Sequence, residues 1–264
     1  MQHKNSPLVY KVGFITPPAW FDISPTEFLR IAPDNTAVMQ TIMRPHDFDY
    51  SVEQFIASVP ELTVCFNSLV AAGADVVAQF GFPFSLVHGW PKSLAVHKSI
   101  QDDSKTDLIM MGVEMVSALR HLNCKSIAIA STYYSKKMSL ILNDYLSEAG
   151  FNILQSRNWH SQGMAEETES GSFIIAGKLD PMDWQTPSEA VEEAVRDVSR
   201  NAPGADCILV TGGGMRLLDM VARLEKEISR PIVAGDLILY WGILDRLGIK
   251  GGVRGHGTLL ASID

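Results

Sequence analysis

The chain has 264 residues, 46% of them hydrophobic, which is ample apolar material for one large core or two modest ones. A formal net charge of −8 with scattered lysines and arginines argues against a nucleic-acid surface, and no apolar run is long enough to span a bilayer. The polar start and three cysteines, with neither CxxC spacing nor a Cys/His cluster, point to a cytoplasmic protein without disulfides or structural zinc.

Residues Tyr10 to Thr16 read as a first strand, ended by Pro17-Pro18, which cannot supply ladder hydrogens. Ala37 to Met43 reads as a second strand. Apolar residues at helical spacing from Ser51 to Ala72 predict a helix that Pro60 interrupts, leading into the strand Val76 to Phe80. Phe82 to Pro91 reads as an aromatic-rich loop suited to walling a pocket, followed by helices over Ser93 to Ile100 and Val113 to Leu122. Ser126 to Ser131 then opens a second half much as Val12 to Thr16 opens the first. A helix from Ser135 to Ala149 capped by Gly150, a strand from Phe151 to Gln155, and an amphipathic helix within Trp184 to Asn201 with Pro187 in its first turn come next. A strand through Cys207 to Val210, a helix over Leu217 to Ile228, a short strand Pro231 to Ala234 and a helix over Leu237 to Leu247 complete the chain. This alternation predicts an α/β fold with mainly parallel sheets.

Two stretches are near copies: Gly73-Ala74-Asp75 precedes a strand that ends at Gly81, and Gly204-Ala205-Asp206 precedes one that ends at Gly212-Gly213-Gly214. Ligands of open parallel sheets settle beyond the carboxyl ends of strands, so two such ends predict one cleft between two similar halves. The halves are expected at residues 1–115 plus 235–264 and at 116–234. The glycine cluster fits neither GxGxxG nor GxxxxGK[ST], so no nucleotide cofactor is expected; its amides suit a carboxylate or a developing enolate. No GxSxG or HExxH occurs, and no metal site is expected. His97 and His121 are expected on exposed helix faces, His160 and His256 in loops, and Cys65 and Cys207 as small buried hydrophobes.

Gly13-Phe14-Ile15-Thr16-Pro17-Pro18, the strand end at Gly81, Ala130-Ser131-Thr132-Tyr133, the segment Asp206 to Asp219 and Pro231-Ile232-Val233, in this order, resemble the arylmalonate decarboxylase and maleate isomerase group of the aspartate/glutamate racemase superfamily. The resemblance implies two Rossmann-like parallel-sheet halves related by a pseudo-twofold, with a cofactor-free active site in the cleft between them. It also implies a cysteine at the end of each central strand in racemases and isomerases, of which decarboxylases keep the second. Here those positions carry Gly81 or Phe82, and Gly212; Cys207 lies five residues too early to substitute.

By the same resemblance Tyr133 donates to a bound carboxylate, and Thr16, Pro17, Gly81, Phe82, Gly212 and Gly213 form the binding ends. Phe82-Pro83 replaces a Thr-Ser pair of the decarboxylases and removes two hydroxyl donors and one amide. Asp236 stands where relatives commonly carry Ser or Asn, as a helix N-cap or as a proton donor, and Glu114 opens a helix where it suits the dipole. Strand alternation should turn Tyr134 away from Tyr133. The expected function is a cofactor-free, decarboxylase-like lyase acting on a small carboxylic or dicarboxylic acid through an enediolate or carbanion, with Tyr133 and Asp236 as catalytic groups. The alternatives are a cis-trans isomerase or racemase with noncysteine bases, and a noncatalytic carboxylate-binding protein. The partner expected is a small carboxylate substrate rather than nucleic acid or membrane; assembly as a homo-oligomer is compatible with it.

Overall fold

The computed structural model describes residues 8–44, 47–167, 173–175, 178–179 and 186–263. Strands β1 (Tyr10–Thr16), β2 (Thr36–Ile42), β3 (Val76–Gln79) and β4 (Asp107–Met110) form one parallel sheet in the order β2-β1-β3-β4. Strands β5 (Ser126–Thr132) and β6 (Asn152–Asn158) are followed by three short antiparallel strands, β7 (Glu166–Glu167), β8 (Phe173–Ile175) and β9 (Lys178–Leu179). With β10 (Cys207–Val210) and β11 (Ile232–Ala234), β5 and β6 build a second parallel sheet in the order β11-β10-β5-β6. In both sheets the first strand sits between the second and the third, with the fourth outside the third. The near-copied sequences therefore mark a duplicated topology.

The Gly-Ala-Asp repeat has a physical role at the far end of each sheet. Asp75 Oδ2 accepts the amide hydrogen of Lys11 at 2.8 Å, and Asp206 Oδ2 accepts those of Lys125 and Ser126, each at 2.8 Å. Each aspartate thus opens the third strand of its half while satisfying amides at the start of the first. Both faces of the inner strands β1, β3, β5 and β10 are covered, so they read as continuous apolar runs, whereas the edge strands β2 and β6 are partly exposed. Val12 and Phe14 join Ile208 and Val233 in a core shared by the halves, while Ile15, Leu62, Phe66 and Phe84 fill a second cluster. Gly13 is required by close packing: a Cβ there would come within 2.9 Å of Leu69 Cδ1.

Several elements differ from the sequence reading. The helix over Ser51 to Ala72 is two helices, Val52–Ala57 and Val59–Ala71, with Pro60 near the start of the second, where its missing N–H costs nothing. The aromatic loop contains a short helix, Pro83–Leu86, and the next helix already begins at Trp90, running Trp90–Gln101. Pro83 and Pro91 lie in the first turns of these helices, which is why they look like breakers in the sequence. Leu217–Asp219 is a 3₁₀ turn before a helix Val221–Ile228, and β6 runs three residues beyond Gln155, to Asn158. Pro187 caps rather than enters the helix Ser188–Asn201; the first part of that expected segment, Trp184 and Gln185, lies outside the described residues.

Two equivalent helices, Met111–His121 after β4 and Gly235–Arg246 after β11, pack against each other and tie the halves together. The expected division at 115/116 falls within the first of them. Glu114, read as a simple dipole partner, is instead buried and receives Arg246 at 2.6 and 2.9 Å through both guanidinium nitrogens. Among the described residues no helix is long and apolar enough to cross a membrane.

Candidate active site

The carboxyl ends of β1, β3, β5 and β10 open on a cavity of about 240 Å³ between the halves. The first half contributes Pro17 and Trp20 after β1, Asp49, Tyr50 and Phe55, and the run Phe80 to Phe84 after β3. Tyr133, Tyr134, Ser135 and Met138 after β5, and Gly213 after β10, come from the second half.

Glycine is dictated at the ends of both third strands. Gly81 and Gly212 adopt φ of +107° and +90°, conformations that L side chains rarely hold. A Cβ on Gly212 would also lie 2.7 Å from both Thr132 Oγ1 and Tyr133 Cε1, and one on Gly213 would strike the Phe80 ring at 1.8 Å. The absence of a thiol at Gly212 is therefore built into the packing: the Tyr133 ring occupies that space. Thr132, itself left-handed at φ 43°, donates its hydroxyl hydrogen to Thr211 O at 2.7 Å, and this turn carries Tyr133 out of the strand. The Gly213 amide then donates to the Tyr133 phenol oxygen at 2.9 Å. A phenol that accepts at its oxygen can still donate its own hydrogen.

Of the residues singled out by sequence, Pro17, Gly81, Phe82, Tyr133 and Gly213 line the cavity, and Gly212 lies against the Tyr133 ring. Thr16 and Asp236 do not line it. Thr16 is fully buried, donating to Asp22 Oδ2 at 3.2 Å and accepting from Gln40 Nε2 at 2.8 Å. Asp236 is not the N-cap, a position held by Ala234; it sits in the first turn, and its Oδ1 accepts the Gly214 amide at 3.2 Å. Asp236 therefore braces the glycine loop from behind. Burial, together with the nearby Glu27 and Asp22 carboxyls, pushes its pKa well above the ordinary carboxylate range. Burial also raises Asp22 and Glu27, although Glu27 accepts a hydrogen bond from the Tyr240 phenol at 3.1 Å.

Tyr134 is not turned away. The strand ends at Thr132, so alternation no longer applies, and both rings line the cavity with centroids 5.6 Å apart. Burial pushes the Tyr134 phenol far upward. Sequence reasoning did not single out Trp20, Asp49, Tyr50, Ser135 or Met138 as site residues. Ser135 carried a signal, because as helix N-cap it accepts the Met138 amide at 3.3 Å and so must stand at the β5 exit. His97 is half-buried rather than exposed, with Nε2 2.6 Å from Leu108 O; His121 is exposed, and His256 Nδ1 meets Leu218 O at 2.8 Å. All three cysteines are buried away from the cavity. Among the described residues no group of three His, Cys, Asp or Glu side chains is arranged to hold a metal.

Comparison with known proteins finds relatives of this chain in sequence and in fold. The arylmalonate decarboxylase family model matches residues 12–167 and 178–260. The arylmalonate decarboxylase of Bordetella bronchiseptica is 24% identical over 270 residues, covering 98% of each chain. A crystal structure of arylmalonate decarboxylase superposes with a TM-score of 0.74 at 20% identity, covering 95% of this chain and 98% of the other. The maleate cis-trans isomerase of Nocardia farcinica, with a covalently bound succinylcysteine intermediate, superposes with a TM-score of 0.78 at 19% identity, covering 97% and 99%. With its two parallel sheets and the cavity between them, the chain belongs to the arylmalonate decarboxylase family.

Proposed function

We propose that the chain is a cofactor-free lyase that removes a carboxyl group from a small carboxylic or dicarboxylic acid through an enediolate held between the halves. The observation that supports this is the Tyr133 phenol, fixed by the Gly213 amide at 2.9 Å inside a largely aromatic cavity. A retained carboxylate would accept hydrogens from Tyr133 and Ser135. The leaving carboxylate would face Phe82 and Phe84, apolar rings that offer it no hydrogen bond. Desolvation there favours dispersal of that charge as the carbon–carbon bond breaks, its electron pair entering the retained carboxylate and carbon dioxide departing. A proton from Tyr133 or water then forms the new carbon–hydrogen bond, and solvent restores the phenol. Asp236, acting through Gly214, and Thr16, acting through Asp22, would be positioning residues.

Relatives of both kinds support an activity of the decarboxylase or isomerase type. The purified protein should be incubated with malonates, maleate and amino acids in deuterated buffer, with carbon dioxide and α-carbon deuterium as readouts. Carbon dioxide release with one deuterium incorporated is the expected result. Exchange or cis-trans conversion without carbon dioxide would replace the lyase by an isomerase or racemase with noncysteine bases, and binding without turnover would make it a carboxylate-binding protein.

A further inference from the structure

Among the described residues seven non-glycine positions have positive φ, and three of them flank the cavity: Ala19 at 52°, Tyr50 at 59° and Thr132 at 43°. Such a conformation costs roughly 1 kcal/mol or more per residue, so it persists only where surroundings impose it. Each of the three sets a ring in the cavity wall, because Ala19 precedes Trp20, Thr132 precedes Tyr133, and Tyr50 contributes its own ring. Trp20 lies at the centre, its ring centroid 6.2 Å from that of Phe80 and 6.3 Å from those of Tyr50 and Tyr133. Tyr50 is pinned where it stands, its hydroxyl donating to Pro18 O at 2.6 Å. Burial raises that phenol to about 12, so it remains neutral.

The charge at the site runs against the simplest expectation for a dianion. Among the described residues that line the cavity there is no Lys, Arg or His, and Asp49 alone is charged. Asp49 is exposed at the cavity rim, and its Oδ1 accepts the Ser51 amide at 2.8 Å. The Ser51 hydroxyl and amide hold its pKa below the ordinary value, so it stays ionised. Aromatic faces attract cations through their quadrupoles, most strongly where water is excluded and most strongly for indole. At about 240 Å³ the space is below the ~300 to 1,000 Å³ usual for drug-sized ligands, which favours a small occupant.

We infer that the acid taken by this cavity is a small zwitterion, its carboxylate at Tyr133 and Ser135 and a positively charged substituent, best a methylated ammonium, between Trp20, Tyr50 and Asp49. The inference rests on the reading of the cavity as a carboxylate site and adds the character of the other end of the ligand. It explains why strained backbone is spent on orienting rings and why a negative group stands at the mouth of a site for acids.

The test is a matched pair of probes. Trimethylammonioacetate and 3,3-dimethylbutanoate have the same shape and carboxylate, and differ only in a charged nitrogen against a neutral carbon. Dissociation constants would be measured by calorimetry and by the fluorescence of Trp20 against a Trp20→Leu background. The zwitterion is expected to bind at least about tenfold tighter, and Asp49→Asn to reduce that preference severalfold without weakening the neutral isostere. Equal or tighter binding of the isostere, or a preference that survives both Asp49→Asn and Trp20→Leu, overturns the inference. Tetramethylammonium separates it from the carboxylate reading. If that cation binds with the same dependence on Asp49 and Trp20 while neither acid responds to Tyr133→Phe, the cationic subsite stands and the carboxylate reading falls; if no probe binds, the inference falls.

Discussion

At the scale of single residues the site turns on Tyr133, whose ring fills the space beside Gly212 and whose oxygen takes the Gly213 amide. Tyr133→Phe keeps the ring but removes one charge-assisted hydrogen bond to substrate and the acceptor of the Gly213 amide, so turnover or binding should fall by roughly one to two orders of magnitude with a stability loss of only about 1 kcal/mol. Ser135→Ala should lose a similar amount, about 1 kcal/mol, through the cap of the helix Lys136–Glu148, but with a smaller loss of turnover because Tyr133 still holds the carboxylate. Kinetics paired with thermal melts would distinguish them, and a Tyr133→Phe variant that mainly lowers the melting temperature would make Tyr133 a packing residue. Thiol-blocking reagents should leave the native enzyme active, since Cys65, Cys124 and Cys207 are all buried away from the cavity; inactivation prevented by substrate would contradict this. The strand-end glycines were legible because a strand followed by glycine is marked in the sequence, and Tyr133 was singled out only through the family resemblance of the Ala130-Ser131-Thr132-Tyr133 strand end. Trp20, Asp49 and Tyr50 were not, because left-handed Ala19 and Tyr50 carry no mark of their backbone conformation. The position of their rings depends on contacts far along the chain.

At the scale of elements, the helices Met111–His121 and Gly235–Arg246 meet around a buried carboxylate that was legible only as a helix-opening acid. Glu114 is 2% exposed and takes both arms of Arg246, with Gly242 leaving room for its stem. Arg246→Met should strand that charge and cost on the order of 3 kcal/mol, measured as a shift in the denaturant midpoint. Adding Glu114→Gln should restore much of the loss, and an unchanged midpoint for Arg246→Met would show that the pair bears little of the helix contact. The inner parallel strands β1, β3, β5 and β10 were easy to place because burial on both faces leaves near-unbroken apolar runs, whereas β4, four residues at a sheet edge, was not read as a strand. Helix boundaries were harder where proline sits in a first turn and reads as a break, as at Pro83 and Pro91. The antiparallel strands β7 to β9 are two or three residues each, too short to show a period.

For the whole molecule, three buried carboxyls gather where the halves meet: Asp22, Glu27 and Asp236. All three have folded pKa values above the ordinary, so the folded state holds their protons more tightly than the unfolded chain. Their contribution is fully present below the unfolded value near pH 4 and is lost as pH rises through the folded values. Melting temperature should therefore decline from mildly acidic toward alkaline pH, and Asp236→Asn should flatten the decline, gaining more at pH 8 than at pH 5. A variant whose melting curve parallels the native one at every pH would remove Asp236 from that account. The duplicated strand order was anticipated by the Gly-Ala-Asp repeat, whereas this carboxyl cluster was not, since Asp22 in a loop and Glu27 in the short helix Ser24–Phe28 meet Asp236 from a helix turn far along the chain.

The return of the chain through Gly235–Arg246 also fixes an order of assembly. That helix, buried from Gly235 through Leu244, packs on β3 and β4 of the first sheet although more than a hundred residues separate them. A ribosome making this protein releases β1 to β4 long before the helix that covers them, and domains ordinarily fold in the order of synthesis. Here the N-terminal half must wait, its apolar sheet face uncovered, while the whole second half is made. Nascent chains arrested with residue 230 outside the ribosome should remain sensitive to protease within the first half, and those extended past Arg246 should become resistant.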